Sequence, residues 1–200
     1  MPTKKMELSL AVSKHELGHW FAARHFGFNE DYIRILFRHG WDGSISQEAY
    51  AKSWPQADLP DIESVYTYLT NRIVCLQSGA AAEFFNKETM CIDGDAVTDS
   101  YEESSSNDYK EIITLAYIAR GIKFANEISK DKEPEQIQNI LDECWYRTAK
   151  LVADNFPLID KMSQLMAKRL IDSHNGIKFN KEELLEFLDL AQAQDNALTE

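Results

Sequence analysis

Residues 14–20 read KHELGHW, and they contain two of the five histidines in the chain. His15 and His19 are four residues apart, so on an α-helix they lie one turn apart on one face and can reach the same metal ion. Glu16 stands beside them, where a carboxylate can act as general base toward a metal-activated water. Catalytic zinc uses neutral imidazole ligands and one open position. The stretch therefore predicts a helix that carries a Zn2+ site; the alternative is a helix with two surface or core histidines.

The third ligand has to come from elsewhere in the chain. His25 follows His15 by ten residues, the spacing of the metzincin pattern H-E-x-x-H-x-x-G-x-x-H, but Ala22 stands where that pattern has glycine. Without a break in the helix, His25 points away from the other two histidines. His39 falls in a predicted turn and His174 in a predicted C-terminal loop, and neither has a ligand-like setting.

Two carboxylates are the remaining candidates. Glu83 lies in SGAAAEFF, where an isolated charge on a small and apolar helical stretch needs a reason. Asp108 lies in SSSNDYKEI at the start of a predicted helix. There it can instead be an N-cap, with Glu111 completing a capping box.

The composition is that of one ordinary domain. The chain has 200 residues, of which 44% are hydrophobic and 27% charged. Its formal net charge of −12 disfavours nucleic acid and anionic membrane as partners. No apolar run is long enough to span a membrane, and the N-terminus has no signal-peptide pattern, so we expect a cytoplasmic protein. Cys75, Cys91 and Cys144 are expected to be reduced thiols that fill the core.

The periodicity predicts a mostly α fold with a small β-hairpin, in one domain over residues 1–190. Helices are predicted at residues 6–26, 61–85, 108–129, 134–155, 157–173 and 181–190, the first ending at Gly27 and the last capped by Asn180. A strand at residues 32–37, a turn at 38–43 and a short return strand in SISQEAY form the hairpin. Residues 86–107 are predicted as a polar, acidic loop, and residues 191–200 as a frayed tail.

Several motifs together resemble the peptidase domain of the FtsH family of ATP-dependent zinc metalloproteases. HELGH resembles its H-E-x-G-H, and LQSGAAAEFF matches part of its L-G-G-R-x-A-E-E. IRILFRHGWDGSISQE is similar to the two strands that border its active site, and SSSNDYKEIITLAYIARGI to the stretch that carries its zinc-binding aspartate. ILDECWYRTAKLVADNFPLIDKMSQLMAKRLI and FNKEELLEFL follow its last helices in order, so the resemblance covers nearly the whole chain.

This resemblance implies a helical, zincin-like metalloprotease domain. It implies His15, His19 and Asp108 as ligands of Zn2+ and Glu16 as general base. Glu83 then supports the site, by orienting a ligand histidine or holding the helix pair together, or it is an alternative ligand.

The resemblance also implies a zinc-dependent metalloendopeptidase that hydrolyses unfolded or flexible polypeptides. A substrate would add as an extended strand beside an exposed edge at residues 32–37, which makes Ile33, Ile35 and Phe37 the expected substrate-binding positions. Backbone hydrogen bonds would then provide affinity with little sequence preference.

The chain departs from the family in ways that leave other interpretations open. It contains neither the membrane segments nor the ATPase module of the family, and no G-x-x-x-x-G-K-[ST] loop, so we expect a stand-alone peptidase domain. Two partners remain open: a separate ATPase, or further copies of the same chain in a homo-oligomer. The acidic segment 86–107 is either a solvated insertion or a gate or docking element. The alternative function is a catalytically silent, metal-binding regulatory or adaptor protein; a small zinc-dependent cleaver of a transcription factor would explain only H-E-x-x-H.

Overall fold

The computed structural model describes residues 2–41, 44–55 and 57–196. The protein is mostly helical, with a three-stranded antiparallel sheet and a small separate hairpin, which confirms the mostly α prediction. In chain order the elements are α1 (Pro2–His25), β1 (Asn29–His39), β2 (Ile45–Trp54), α2 (Ile62–Glu83), β3 (Phe85–Asn86), β4 (Cys91–Ile92), α3 (Gly94–Glu102), α4 (Ser106–Lys123), α5 (Glu133–Asp172), β5 (Gly176–Phe179) and α6 (Lys181–Asn196).

Helix α1 carries the KHELGHW stretch through the middle of the molecule. It ends where predicted, because Gly27 adopts a φ of 67°, a left-handed conformation that stops a helix at little cost. Its side chains enter two hydrophobic clusters. One packs α1 against the sheet, α5 and α6, and the other packs it against α2, α4 and α5. The motif is therefore held on a helix that is packed on several sides.

The sheet has the order β2-β1-β5, so β1 is its central strand. β1 pairs with β2 from Asn29↔Trp54 to His39↔Ile45, and with β5 from Ile33↔Phe179 to Leu36↔Gly176. The prediction that residues 32–37 form an exposed edge is wrong, because β5, in a segment predicted as a loop, occupies that side. Among the described strands, β2 and β5 are therefore the edges of this sheet. The predicted turn at 38–43 lies partly outside the described residues.

The acidic segment is structured, contrary to the prediction of a loop over residues 86–107. It contains the hairpin β3–β4 and the helix α3. Asp93 caps α3, since its Oδ1 accepts a hydrogen bond from the Ala96 backbone at 3.1 Å. Val97 and Ser100 of α3 are buried, while its acidic side chains face solvent. Residues 86–107 therefore form a short structured segment, with a hairpin strand and a helix, that precedes α4.

The two helices predicted at 134–155 and 157–173 are one continuous helix, α5, with Pro157 inside it. Proline lacks the N–H that would bond the carbonyl of Ala153, a loss that favours a break in a helix. Pro157 lies on the exposed face of α5, where water can solvate that carbonyl. The neighbours Phe156 and Ile159 are buried in the core, and their packing keeps the helix continuous.

The C-terminal helix is longer than predicted. Asn180 and Glu183 form a reciprocal capping box at 2.9 Å in both directions, which confirms the predicted start of α6. The helix continues to Asn196, so residues 191–196 are not a frayed tail, and residues 197–200 lie outside the described residues. Within the described residues, no helix has the length and apolar character needed to cross a membrane.

Candidate metal centre

His15 and His19 face the same point, as their spacing on α1 predicts. Their ring centroids are 4.8 Å apart and the rings are nearly perpendicular. The Oδ2 atom of Asp108 lies 3.3 Å from Nε2 of His15 and 3.5 Å from Nε2 of His19. One ligand atom from each residue lies within 4.8 Å of those from the other two. The structure therefore brings together the three residues that the sequence predicted as ligands.

The opposite nitrogen of each imidazole has a partner of its own. Nδ1 of His15 donates to Oε2 of Glu83 at 2.9 Å, and Nδ1 of His19 donates to the backbone carbonyl of Cys75 at 2.8 Å. Because both acceptors lack a proton to give, each Nδ1 carries hydrogen, which leaves Nε2 as the nitrogen of each ring that can bind a metal. Glu83 thus lies on the side of the His15 ring away from Asp108, where it orients the ligand.

Asp108 is the third residue of α4, and the N-cap is Ser105. The alternative interpretation of Asp108 as an N-cap is therefore wrong, and Glu111 pairs instead with Arg72 at 2.9 Å. Burial is the largest influence on the pKa of Asp108 and raises it, but His19 and His15 together outweigh burial and hold that pKa well below its usual range. Asp108 is consequently an anion, the form that binds a metal.

Burial also acts most strongly on His15, and alone it would lower the pKa of the imidazole. The hydrogen bonds to Asp108 and Glu83 and the charge of Glu16 outweigh it and raise the pKa of His15 to about 10. A metal ion has to displace this proton before it binds, so the acidic surroundings that favour a bound cation also hold the proton.

The centre depends on a close approach of α2 to α1 at Gly79. A β-carbon on Gly79 would lie 2.4 Å from Nε2 of His19 and 2.7 Å from Nε2 of His15. No side chain larger than hydrogen fits there unless both rings move. Gly79 therefore leaves the space that the imidazoles occupy.

Glu16 is buried beside the two histidines, with 4% of its surface exposed. Burial, the largest influence, raises the pKa of its carboxyl group above the usual range, although His15 and His19 oppose this. The Ala51 backbone N–H of β2 donates to the carboxylate, while Oε2 has no hydrogen-bond partner among the described residues. An acceptor oxygen is thus free on the only carboxylate of the HELGH motif.

The donor set fits zinc. Ligand bonds of 2.0–2.2 Å in a tetrahedron place neighbouring ligand atoms about 3.3–3.6 Å apart. The separations of 3.3 Å and 3.5 Å between Asp108 and the two histidines match that geometry. Two imidazoles with hydrogen-bonded Nδ1 atoms and one carboxylate are a donor set that can hold such an ion.

A cleft of about 500 Å3 opens over this centre. α1 forms its floor, β2 one wall, and α2 with the start of α4 the other. The predicted substrate-binding residues Ile33, Ile35 and Phe37 do not line it, because all three side chains are buried in the core under β1. β2 borders the cleft instead, through inward-facing positions that include Ala49 and Ala51.

The other histidines lie away from the centre, as predicted. His25 is exposed and packs edge-on against Phe26. His39 and His174 stack on each other, with ring centroids 4.4 Å apart, where β1 ends and β5 begins. Two contributors to the site left no recognisable sequence signal for their role: the carbonyl of Cys75, which any residue could supply, and the edge of β2.

Compared with models of protein families and with curated proteins, the chain matches none.

Proposed function

We propose that the protein is a zinc-dependent metalloendopeptidase that hydrolyses peptide bonds of unfolded or flexible polypeptides. The observation that carries this proposal is the convergence of His15, His19 and Asp108 on one point, beside a buried Glu16 with a free oxygen. A silent, merely regulatory metal site would have no need of such a carboxylate. The resemblance of HELGH, AAE and SND, in this order, to the FtsH peptidase supports the same conclusion.

When bound, Zn2+ would polarise the scissile carbonyl and lower the pKa of a water molecule to about 7. Glu16 would accept a proton from the attacking water on its free Oε2 and later return it to the leaving amine. Its raised pKa favours the first transfer, because a more basic carboxylate accepts a proton more readily. Glu83 and the Cys75 carbonyl would hold the two imidazoles in place.

The free edge of β2 would bind the substrate. Ala51 directs its N–H away from β1 toward Glu16, and backbone groups two residues apart on a strand point to the same side, so those of Ala49 and Ser53 face the cleft as well. An extended polypeptide could pair with these groups and run across the metal centre. Main-chain pairing requires an unfolded segment, which is why we infer unfolded polypeptides as the substrates.

Metal removal and Asp108→Asn test this proposal. Chelation should abolish cleavage of an unstructured polypeptide, and Zn2+ should restore it in wild-type protein. We expect Asp108→Asn to stay inactive with Zn2+, because the amide is a weaker and uncharged ligand. The matched control is Asp95→Asn, which changes an exposed aspartate in the first turn of α3 and should remain fully active. Cleavage that survives chelation, or an active Asp108→Asn protein, would contradict the proposal.

A further inference from the structure

The outer face of the three-stranded sheet carries several cations. Side chains alternate along β1, so Arg34 projects outward between the buried Ile33 and Ile35. Arg34 lies directly across from Tyr50 of β2 and from Lys178 of β5. We call this surface the basic face; its residues are Tyr32, Arg34, Tyr50, Lys52, Trp54 and Lys178.

The cations of the basic face contact aromatic side chains instead of carboxylates. Arg34 donates to the hydroxyl of Tyr50 at 3.4 Å. The ammonium of Lys52 lies 4.0 Å from the centroid of the Trp54 ring, and that of Lys178 lies 3.8 Å from the centroid of the Tyr32 ring. Within the described part of the chain, none of these three cations forms an ion pair.

The carboxylates nearest to the basic face have partners of their own. Glu48 of β2 pairs with Arg38, and Asp31 accepts a hydrogen bond from the indole N–H of Trp54 at 3.3 Å. Arg34 and Lys178 therefore stand opposite each other as like charges, an arrangement that destabilises a sheet. A bound anionic group would relieve that repulsion.

Helix α3 presents the opposite charge. The sequence from Glu88 to Tyr109 contains no lysine or arginine. We call the exposed carboxylates at the solvent side of α3 the acidic face; they are Asp95, Asp99, Glu102 and Glu103. Asp99 is four residues from Asp95 and from Glu103, and like charges at that spacing destabilise a helix. Among the described residues these four carboxylates form no ion pair, so the acidic face also carries unrelieved repulsion.

The two faces do not meet within one molecule. α3 packs on α4 and α2, whereas the sheet packs on α1 and α6. No hydrogen bond or ion pair joins α3 to the sheet within the described residues. Each copy of the chain therefore offers both faces to other molecules.

A protein partner fits the basic face better than a polyanion does. Tyr50 and Trp54 are 37% and 52% exposed, and tyrosine, tryptophan and arginine are the residue types enriched where proteins meet. A nucleic acid or an anionic membrane extends beyond the face and would meet the rest of a molecule whose net charge is −12. The acidic face of a second copy is a short patch, and its pairing relieves the repulsion on both sides.

We propose that copies of this chain associate through the basic face of one and the acidic face of another. The contact joins two different surfaces, so it can repeat from copy to copy. The inference goes beyond the proposed function, because neither face contributes a group to the metal centre. It also assigns a docking role to α3.

Charge reversal on each face tests the proposal, with sedimentation velocity over about 5–500 μM protein as the measurement. The basic-face variant combines Arg34→Glu with Lys178→Glu. The acidic-face variant combines Asp99→Lys with Glu102→Lys, near the end of α3, where lysine suits the helix dipole. We expect wild type to associate and each variant alone to associate at least about 10-fold more weakly, because attractive pairs become repulsive.

An equimolar mixture of the two variants should associate about as strongly as wild type. In the mixture, the reversed face of each variant meets an oppositely charged face of the other. Restored association also shows that both variants are folded, so a loss in each variant alone does not reflect misfolding.

Overall charge predicts a different pattern. Each reversal changes the net charge by two units, so the basic-face variant goes from −12 to −16 and the acidic-face variant from −12 to −8. Less overall repulsion would make the acidic-face variant associate more strongly, whereas the proposal predicts the reverse. The matched control is Lys130→Glu with Lys168→Glu, two exposed cations outside both faces, which also gives −16 and should associate like wild type.

Three results would overturn the proposal: wild type that remains monomeric at about 500 μM, association that neither variant weakens, or a mixture that does not recover. Monomeric wild type that binds a fluorescein-labelled oligoglutamate or oligothymidylate, and loses it in the basic-face variant, would assign the face to another anionic partner. Peptide cleavage by the zinc-loaded protein is a separate readout, so failure of the proposed function leaves this test unchanged.

Discussion

At the scale of single residues, the centre is built from side chains that the sequence marks and from backbone that it does not. His15, Glu16 and His19 are predictable because their types and spacing carry the chemistry, whereas Asp108 was predicted as a ligand only through the resemblance to the FtsH peptidase. Gly79 matters for the opposite reason, since its missing side chain makes room for the imidazoles. A substitution there tests the site without removing any ligand.

Gly79→Ala should weaken zinc binding by about 10- to 100-fold, the range seen when the support of metal ligands is disturbed. The new β-carbon would lie 2.4 Å from Nε2 of His19, so the rings have to turn away from Asp108. Titration of the metal-free protein with Zn2+ by calorimetry measures the change. The control is Gly121→Ala in α4, where a β-carbon meets nothing within 4 Å and should stabilise the helix by about 0.5–1 kcal/mol. Equal zinc affinity in both variants would contradict this role of Gly79.

The limits of prediction at this scale are physical. The carbonyl of Cys75 that orients His19 belongs to the backbone, so the residue type at position 75 does not predict this role. Asp108 looked equally like an N-cap, because aspartate at a helix start serves both purposes. Only the position of Ser105 as the cap separates the two interpretations. The sequence left open whether Glu83 orients a ligand or binds the metal itself, because its partner His15 lies 68 residues away in sequence.

At the scale of elements, local patterns predicted the helices well and their tertiary context poorly. Pro157 indicated a break that packing overrides, and the short segment of β5 was predicted as a loop. Missing β5 had the larger consequence, because it made β1 look like an edge strand, whereas β1 lies between β2 and β5. Pairing over more than a hundred residues leaves little local trace.

Pro157→Ala should raise the free energy of unfolding by about 1–3 kcal/mol, because alanine restores the N–H that bonds the Ala153 carbonyl. Chemical denaturation followed by circular dichroism measures the change. Gln164→Ala, at an exposed position of the same helix, is the control and should stay within about 0.5 kcal/mol of wild type. A Pro157→Ala protein that is no more stable than the control would mean that α5 already absorbs the lost bond without penalty.

Across the whole molecule, the burial of the three cysteines indicates how tightly the helices around them pack. All three are free thiols; Cys75 and Cys144 are buried, as predicted, whereas Cys91 is exposed on β4 and is not the core residue that was predicted. Burial, the largest influence in each case, raises the pKa of Cys75 and that of Cys144 to about 12. Since the thiolate is the reactive form, a raised pKa leaves both thiols protonated at neutral and mildly alkaline pH.

Native protein at pH 8 should therefore react with one equivalent of maleimide, at Cys91, and unfolded protein with three. Mass spectrometry counts the labels. Cys91→Ser is the control, and its native form should take up none. Rapid native labelling of Cys75 or Cys144 would contradict the packing of α2 against α5 described here.

Replacement of Glu16 by glutamine tests its proposed role as the general base of a zinc peptidase. Zinc-loaded wild-type and Glu16→Gln proteins are incubated with a mixed pool of unstructured peptides, beside Glu7→Gln, which changes an exposed glutamate of the same helix. We expect cleavage by wild type and Glu7→Gln, and at least a 100-fold lower rate with Glu16→Gln at unchanged zinc content. Equal cleavage by Glu16→Gln, or none by wild type with zinc bound, would contradict this role of Glu16.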